Sequence, residues 1–169
     1  MEKNLDLEQI YSIYAKDLFR YIYSLCKNRS MAEDIIQETF YRAYFYVESY
    51  KEEKIRPWLF KVAYHTFIDI LRKEKRITYY EDLNSLHHST LTAQTRSAEE
   101  EYLIKENVEL WLNILDTLPL FKKNIVLLRD YYHFSYQEIA DMYDISLAKV
   151  KVTIYRGRKE IQEKLSLLI

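Results

Sequence analysis

The chain has 169 residues and a formal net charge of −1, with 49% hydrophobic and 30% charged residues. This composition supports a buried core and excludes an intrinsically disordered chain. One glycine and two prolines leave too little turn material for a hairpin-rich sheet protein, so long periodic segments with few breakers predict an all-α fold. Lone Cys26 excludes an internal disulfide. No apolar run approaches the roughly 18 residues that span a bilayer, and the start MEKNLDLEQI does not read as a signal peptide. The expected location is therefore the cytoplasm.

The first predicted helix runs from about Leu7 to Lys27, with Ile10, Tyr14, Leu18, Ile22 and Cys26 at helical spacing. Cys26 on that row reads as a small buried hydrophobe rather than a reactive thiol. Asn28 and Arg29 break the helix, and Ser30-Met31-Ala32-Glu33 has the pattern of a capping box. A second helix is therefore expected from Met31 to Tyr50, burying Ile36, Phe40, Ala43 and Val47. After the polar connection KEEKIRPW, Pro57 suits the first turn of a third helix. That helix is predicted to reach Lys75, with Leu59, Val62, Ala63, Thr66, Phe67, Ile70 and Leu71 inward.

Periodicity is lost from Ile77 to Ala98, and NSLHHSTLTAQTRS reads as a linker. His87 and His88 have no third ligand at useful spacing, so they read as a solvated pair and no metal or other cofactor is expected. Ser97-Ala98-Glu99-Glu100 is a further possible capping box, opening a helix that ends at about Leu115. Pro119 then starts another, with Ile125, Leu128 and Tyr132 inward.

Charge is uneven along the chain. Residues 51–80 carry 8 Lys/Arg against 4 Asp/Glu, residues 81–117 carry 2 against 8, and residues 118–169 carry 9 against 6. Two basic stretches separated by an acidic one suggest two contacts with a polyanion. The last segment adds detail. Ser135-Tyr136-Gln137-Glu138 is a capping box, Ile139, Ala140 and Tyr143 are its inward positions, and Asp144 stands where a sharp turn takes a left-handed residue. Ile145 closes that turn and Ser146 caps the next helix. There Leu147, Val150, Ile154, Gly157, Ile161 and Leu165 share one face, and the mid-helix glycine implies close packing. A short helix, a tight turn and a basic second helix describe a DNA-binding helix-turn-helix.

SYQEIADMYDISLAKVKVTIYRGRKEI resembles the promoter −35-reading helix-turn-helix of extracytoplasmic-function (ECF) sigma factors of the sigma-70 family. AEDIIQETFYRAY and PWLFKVAYHTFIDILRKEKR are similar to regions 2.2 and 2.3–2.4 of that family. The resemblance implies a non-enzymatic factor of two small helical domains, region 2 over residues 1–78 and region 4 over residues 99–169, joined by an acidic flexible linker at 79–98. It implies that the factor gives core RNA polymerase its −35 and −10 specificity and helps to melt the promoter. The implied partners are the polymerase β′ coiled coil and β flap, promoter DNA, and an anti-sigma factor that clamps the two domains.

Matched residue by residue, Asp34, Gln37, Glu38 and Tyr41 are implied to bind core polymerase. Trp58, Lys61, His65, Arg72, Lys73 and Arg76 are implied to meet the −10 element; His65 stands near the position where relatives, often with Asn, capture an unstacked base. Ser146, Lys149, Lys151, Val152, Thr153, Arg156 and Arg158 are implied to meet the −35 element. Family members often read GISVGTVKSR where this chain has DISLAKVKVT, which implies a different base preference on the same fold. Two other readings compete: a regulator that binds a palindrome as a dimer without polymerase, and a helical mimic that does not initiate transcription. An enzyme finds no support, for the sequence has no phosphate loop, metal-ligand cluster or nucleophile–base pair at usable spacing.

Overall fold

Asp6 opens α1 (Leu7–Cys26): its carboxylate accepts the Gln9 amide at 2.8 Å while the Gln9 side chain accepts the Asp6 amide at 3.1 Å. The two bonds satisfy orphan donors that would otherwise face solvent at the helix start. Lys27, in a left-handed conformation (φ 54°), ends the helix. The structure, a computed structural model, describes residues 5–46, 52–81 and 106–168, with the backbone path alone for 52, 53, 76–81, 106 and 107. All elements among the described residues are helices.

The next helix, α2 (Arg29–Tyr46), starts earlier than expected. Asn28, not Ser30, caps it, its Oδ1 accepting the Met31 amide at 3.0 Å. The Ser30–Glu33 pattern fails as a capping box because Glu33 pairs with Arg29 at 3.0 Å on the same exposed face. Helix α3 (Glu52–Glu81) begins five residues before Pro57, which lies inside it. The extra N-terminal turn has its own anchors: Ile55 is buried one turn ahead of Leu59, and the Arg56 guanidinium lies over the Phe60 ring, 5.4 Å from its centroid. The helix also runs past Lys75 to Glu81, into the start of the stretch where the sequence loses its periodicity. Val47 and the expected linker with His87 and His88 fall outside the described residues.

Residues 1–94 and 95–169 form two separate compact units. In the first, α1, α2 and α3 pack pairwise on one another. Ile10, Leu18, Tyr21, Ile22, Ile35, Leu59 and Phe60 are fully buried, each contributing about 1.5–3 kcal/mol. The Tyr21 and Phe60 rings meet at 4.9 Å, and buried Thr39 and Thr66 satisfy their hydroxyls by donating to the carbonyls of Ile35 and Val62. Val62, Ile70 and Leu71 are only half-buried, because Phe60 and Tyr64 take the inward positions beside Leu59 and Phe67. Cys26 is buried, as its place on the apolar row suggests.

The second unit holds α4 (Glu106–Leu115), α5 (Leu120–Asp130), α6 (Tyr136–Tyr143) and α7 (Leu147–Ser166). Pro119 caps α5, which is covered over six consecutive residues, Lys123 to Leu128. A helix buried on all sides is an inner element, and α6 and α7 both pack on it. Its two buried polar side chains are satisfied: the Lys123 ammonium reaches Asp116 at 2.6 Å, and Asn124 donates to the Tyr143 hydroxyl at 2.9 Å. Leu147 departs from the sequence reading. It is 37% exposed at the first position of α7, three residues before the fully buried Val150.

Gly157, buried in α7, lies close against α5. A Cβ built there would stand 2.5 Å from Val126 Cγ2. Val126 is fully buried and β-branched, so its methyl has no alternative rotamer to retreat to. Gly157→Ala should therefore lower unfolding stability by about 1–3 kcal/mol despite the better helix propensity of alanine. Chemical denaturation checks this, and the added substitution Val126→Ala should recover part of the loss.

Candidate nucleic-acid and polymerase interfaces

The helix-turn-helix is built by local rules. Ser135 Oγ accepts the Glu138 amide at 3.0 Å and the Glu138 carboxylate accepts the Ser135 amide at 2.7 Å, closing the capping box at the start of α6. Asp144 takes the left-handed conformation (φ 51°, ψ 49°), and the Ile145 amide returns to the Ala140 carbonyl at 3.1 Å, a Schellman-type stop. Ala140 is buried at that turn. Ser146 then caps α7, accepting the Lys149 amide at 3.1 Å.

On α7, Val150, Ile154, Gly157 and Ile161 face the core. Lys149, Lys151, Val152 and Arg156 are exposed along the remaining sides, as is the Ser146 cap, while Thr153 is half-buried with its hydroxyl donating to the Lys149 carbonyl at 2.7 Å. The Lys149 ammonium lies 5.5 Å from the Phe121 ring centroid. Arg158 differs from its neighbours. Both ends of its guanidinium bond to Asp130 at the end of α5, Nε to Oδ2 at 3.1 Å and Nη2 to Oδ1. The Asp130 hydrogen bond raises its pKa further above the already basic value. This side chain is committed to joining α7 to α5, which sequence spacing gave no way to see.

In the first unit, the α3 residues singled out from the sequence lie on the side away from the core. Trp58 is half-buried, its ring 5.9 Å from that of Tyr46. Lys61 is half-buried, and His65, Arg72 and Lys73 are exposed. Arg76 lies within α3, but its side chain is outside the described set. Asp69 stands exposed among these cations, an acid that the basic reading of this helix passed over. Burial lowers the His65 pKa, and the positive charge of Lys61 lowers it further; Asp69 opposes this and Arg72 adds to it. A neutral imidazole both donates and accepts hydrogen bonds.

On α2, Asp34, Gln37 and Tyr41 are exposed and Glu38 is half-buried, its carboxylate held by Arg42 Nε at 2.8 Å. Sequence reasoning missed the continuation of this surface. Tyr44 and Phe45 are 65% and 62% exposed, and Phe45 meets both Tyr41 and Tyr44 edge to face. The run Tyr44-Phe45-Tyr46 carried that signal, since exposed aromatics in such number mark a contact surface. Among the described residues no group of His, Cys, Asp and Glu is arranged to hold a metal, and no helix is long and apolar enough to cross a membrane.

The family profile described as Sigma-70 region 2 matches residues 10–77, and that described as Sigma-70, region 4 matches residues 109–161. The chain is 33% identical over 161 residues to the ECF RNA polymerase sigma factor SigM of Bacillus subtilis, covering 94% of each protein. It is 28% identical to RNA polymerase sigma factor YlaC of the same organism, over 98% of this chain and 95% of that one. Among solved structures, the fold resembles the sigma factor RpoE in a complex with the anti-sigma factor NepR from Bartonella quintana, at a TM-score of 0.77, 21% identity, and coverage of 95% of this chain and 97% of that one. CnrH, solved with the cytosolic domain of CnrY, matches at a TM-score of 0.66 and 18% identity, over 95% of this chain and 88% of that one. With both profiles in order on a two-unit helical chain, these relatives decide against the dimeric regulator: the protein belongs to the sigma-70 family, as an ECF sigma factor that directs RNA polymerase to promoters.

Proposed function

We propose how the two units divide this work. The observation that carries the assignment is the exposed row Asp34, Gln37 and Tyr41 on α2, with Glu38 beside it, on the side away from the Ile36/Phe40 core. This row docks on the β′ coiled coil of core polymerase, and Tyr44 and Phe45 extend it by one turn. The outer side of α3 takes the single-stranded −10 element: Trp58 offers a ring for stacking, and Lys61, Arg72, Lys73 and Arg76 follow the phosphates. His65 receives an unstacked base through a neutral imidazole. The second unit reads the −35 duplex with Ser146, Lys149, Lys151, Val152, Thr153 and Arg156 and sits on the β flap. Arg158 supports this surface from its bond to Asp130 rather than as a first contact. The protein works in the cytoplasm, without catalysing a reaction of its own, under an anti-sigma factor of the kind found with RpoE.

Purified protein mixed with bacterial core RNA polymerase and genomic DNA fragments should yield transcripts from discrete start sites preceded by a shared two-part motif. Asp34→Ala/Glu38→Ala should abolish them without unfolding the protein, since Asp34 is exposed and the partly exposed Glu38–Arg42 pair is worth about 1 kcal/mol at most. DNA binding as a dimer with no polymerase-dependent transcript would overturn this reading.

His65 should titrate below the usual histidine value of about 6.5, read by NMR. Lys61→Met should move the midpoint up and Asp69→Asn should move it down. Because the folded value is depressed, the stability contributed by neutral His65 is present above the unfolded value and is lost as pH falls below it and through the folded value.

A further inference from the structure

Phe121, the second residue of α5, stands outside the helix-turn-helix and yet touches its leading end. It is half-buried, and the ammonium of Lys149, the third residue of α7, lies 5.5 Å from its ring centroid. The ring is braced from behind. It meets the ring of Tyr143, the last residue of α6, edge to face at 6.5 Å and 81°. The Tyr143 hydroxyl in turn accepts the side-chain amide of the fully buried Asn124 at 2.9 Å. Phe121 and Asn124 are three residues apart on one face of α5, so that helix holds both ends of the aromatic pair. Such a support matters because of what a lysine is: a point charge on a flexible four-carbon stem, able to donate over a wide arc. Lys122, Lys123 and Arg158 are directed by acids, which take up their protons and offset their charge. Lys149 is directed by a ring. An aromatic face within about 6 Å attracts the cation through its quadrupole and leaves N–H donors free on the other side of the ammonium.

We propose that Phe121 is a positioning residue for promoter choice: its ring holds the Lys149 ammonium at one place ahead of α7, so that this lysine discriminates at one step of the −35 duplex. This rests on the reading of Lys149 as a −35 contact. A lysine swinging freely reaches guanine O6 and N7 at one base pair, the same atoms at the next, and phosphate oxygens beside both. Its preferences then average out, and it adds affinity without selecting a sequence. Tethered to a fixed ring, the same ammonium meets the acceptors of one step, and a base that presents none there is disfavoured. Phe121 itself touches no base in this arrangement. It acts through Lys149, and Tyr143 and Asn124 act through Phe121 by fixing the ring.

The test uses the full-length protein with core polymerase on a promoter library that carries the two-part motif found by transcript mapping, with the −35 element randomised. Sequencing the transcripts gives the base preference at each position. Lys149→Met should erase the preference at one base pair or two adjacent ones. Phe121→Leu should weaken the preference at those same positions by about two- to fivefold, the size of an exposed cation–π contact, and leave the others as they were. Phe121→Tyr, which keeps the ring, should retain the wild-type pattern, and Phe121→Leu added to Lys149→Met should change nothing further. In the free protein, NMR should show the Lys149 Cε protons shifted upfield by the ring, and Phe121→Leu should return them to ordinary lysine values. That measurement needs no DNA and also reports whether the variant is folded. An unshifted Lys149 in the wild-type protein would sink the proposal. So would a Phe121→Leu variant that lowers transcription equally at all −35 sequences, or one that matches the wild-type pattern while Lys149→Met does not; either leaves the duplex-reading assignment standing. If Lys149→Met, Lys151→Met and Arg156→Gln all left the −35 preferences unchanged, that assignment would fall, and the role of Phe121 with it.

Discussion

The approach of α7 to α5 at Gly157 is the constraint on which the second unit depends. An axis this close is possible only because no Cβ stands between the Gly157 backbone and Val126. Once α7 is seated there, its outward face is fixed, and the turn before it must end at one place. Asp144 supplies the left-handed residue and Ser146 the cap that brings the chain in at that angle. The Arg158–Asp130 and Lys122–Glu160 pairs tie the same two helices on opposite sides of the glycine contact. Such partly exposed pairs add little net stability. They do restrict rotation of α7 about its axis, and that rotation decides which side chains can reach a base.

Ion pairing inside the second unit also limits how many of its cations point outward. Several cations of the second unit are committed within it: Lys123 to Asp116, Lys122 to Glu160, Arg158 to Asp130. Those pointing outward, Lys149, Lys151, Arg156 and Lys159, are few. Phosphate-driven affinity grows with the number of cations engaged and falls steeply with salt, so such a unit holds duplex DNA weakly by itself. A sigma factor works as part of a polymerase that engages two promoter elements together, and linked weak contacts reinforce one another through effective concentration.

Much of this architecture was legible in the sequence where a local rule had a single outcome. The Ser135–Glu138 capping box, the left-handed Asp144, the Ser146 cap and the close packing at Gly157 each follow from one residue type in one position. The failures came where two local rules competed or where a partner lay far along the chain. Ser30–Glu33 matched the capping pattern, but Asn28 was also a good cap and Arg29 captured Glu33. Asp6 and Gln9 formed a capping box of less usual composition and went unnoticed. Pro57 suggested a helix start because proline is tolerated there, yet burial of Ile55 extends the helix ahead of it. The commitment of Arg158 to Asp130, 28 positions away, depends on tertiary geometry that no spacing rule contains.

The leading turns of α7 limit how any duplex can be read. Val152 is 45% exposed and has no side-chain donor or acceptor, so at its position discrimination rests on apolar contact, for which the thymine methyl is the available partner in the major groove. The Thr153 hydroxyl already donates to the Lys149 carbonyl, and its one proton is thereby used. The Ser146 hydroxyl accepts the Lys149 amide, which still leaves its own proton to offer. In the proposed reading, donor contacts therefore concentrate on Ser146, Lys149, Lys151 and Arg156, which suit guanine O6 and N7 or phosphate oxygens. In that proposed readout the acceptors this surface offers to the amino groups of cytosine or adenine are few, namely the lone pairs left on the Ser146 and Thr153 hydroxyls. Its specificity must come from a few donor contacts and apolar contacts, together with the spacing to the second promoter element that polymerase imposes.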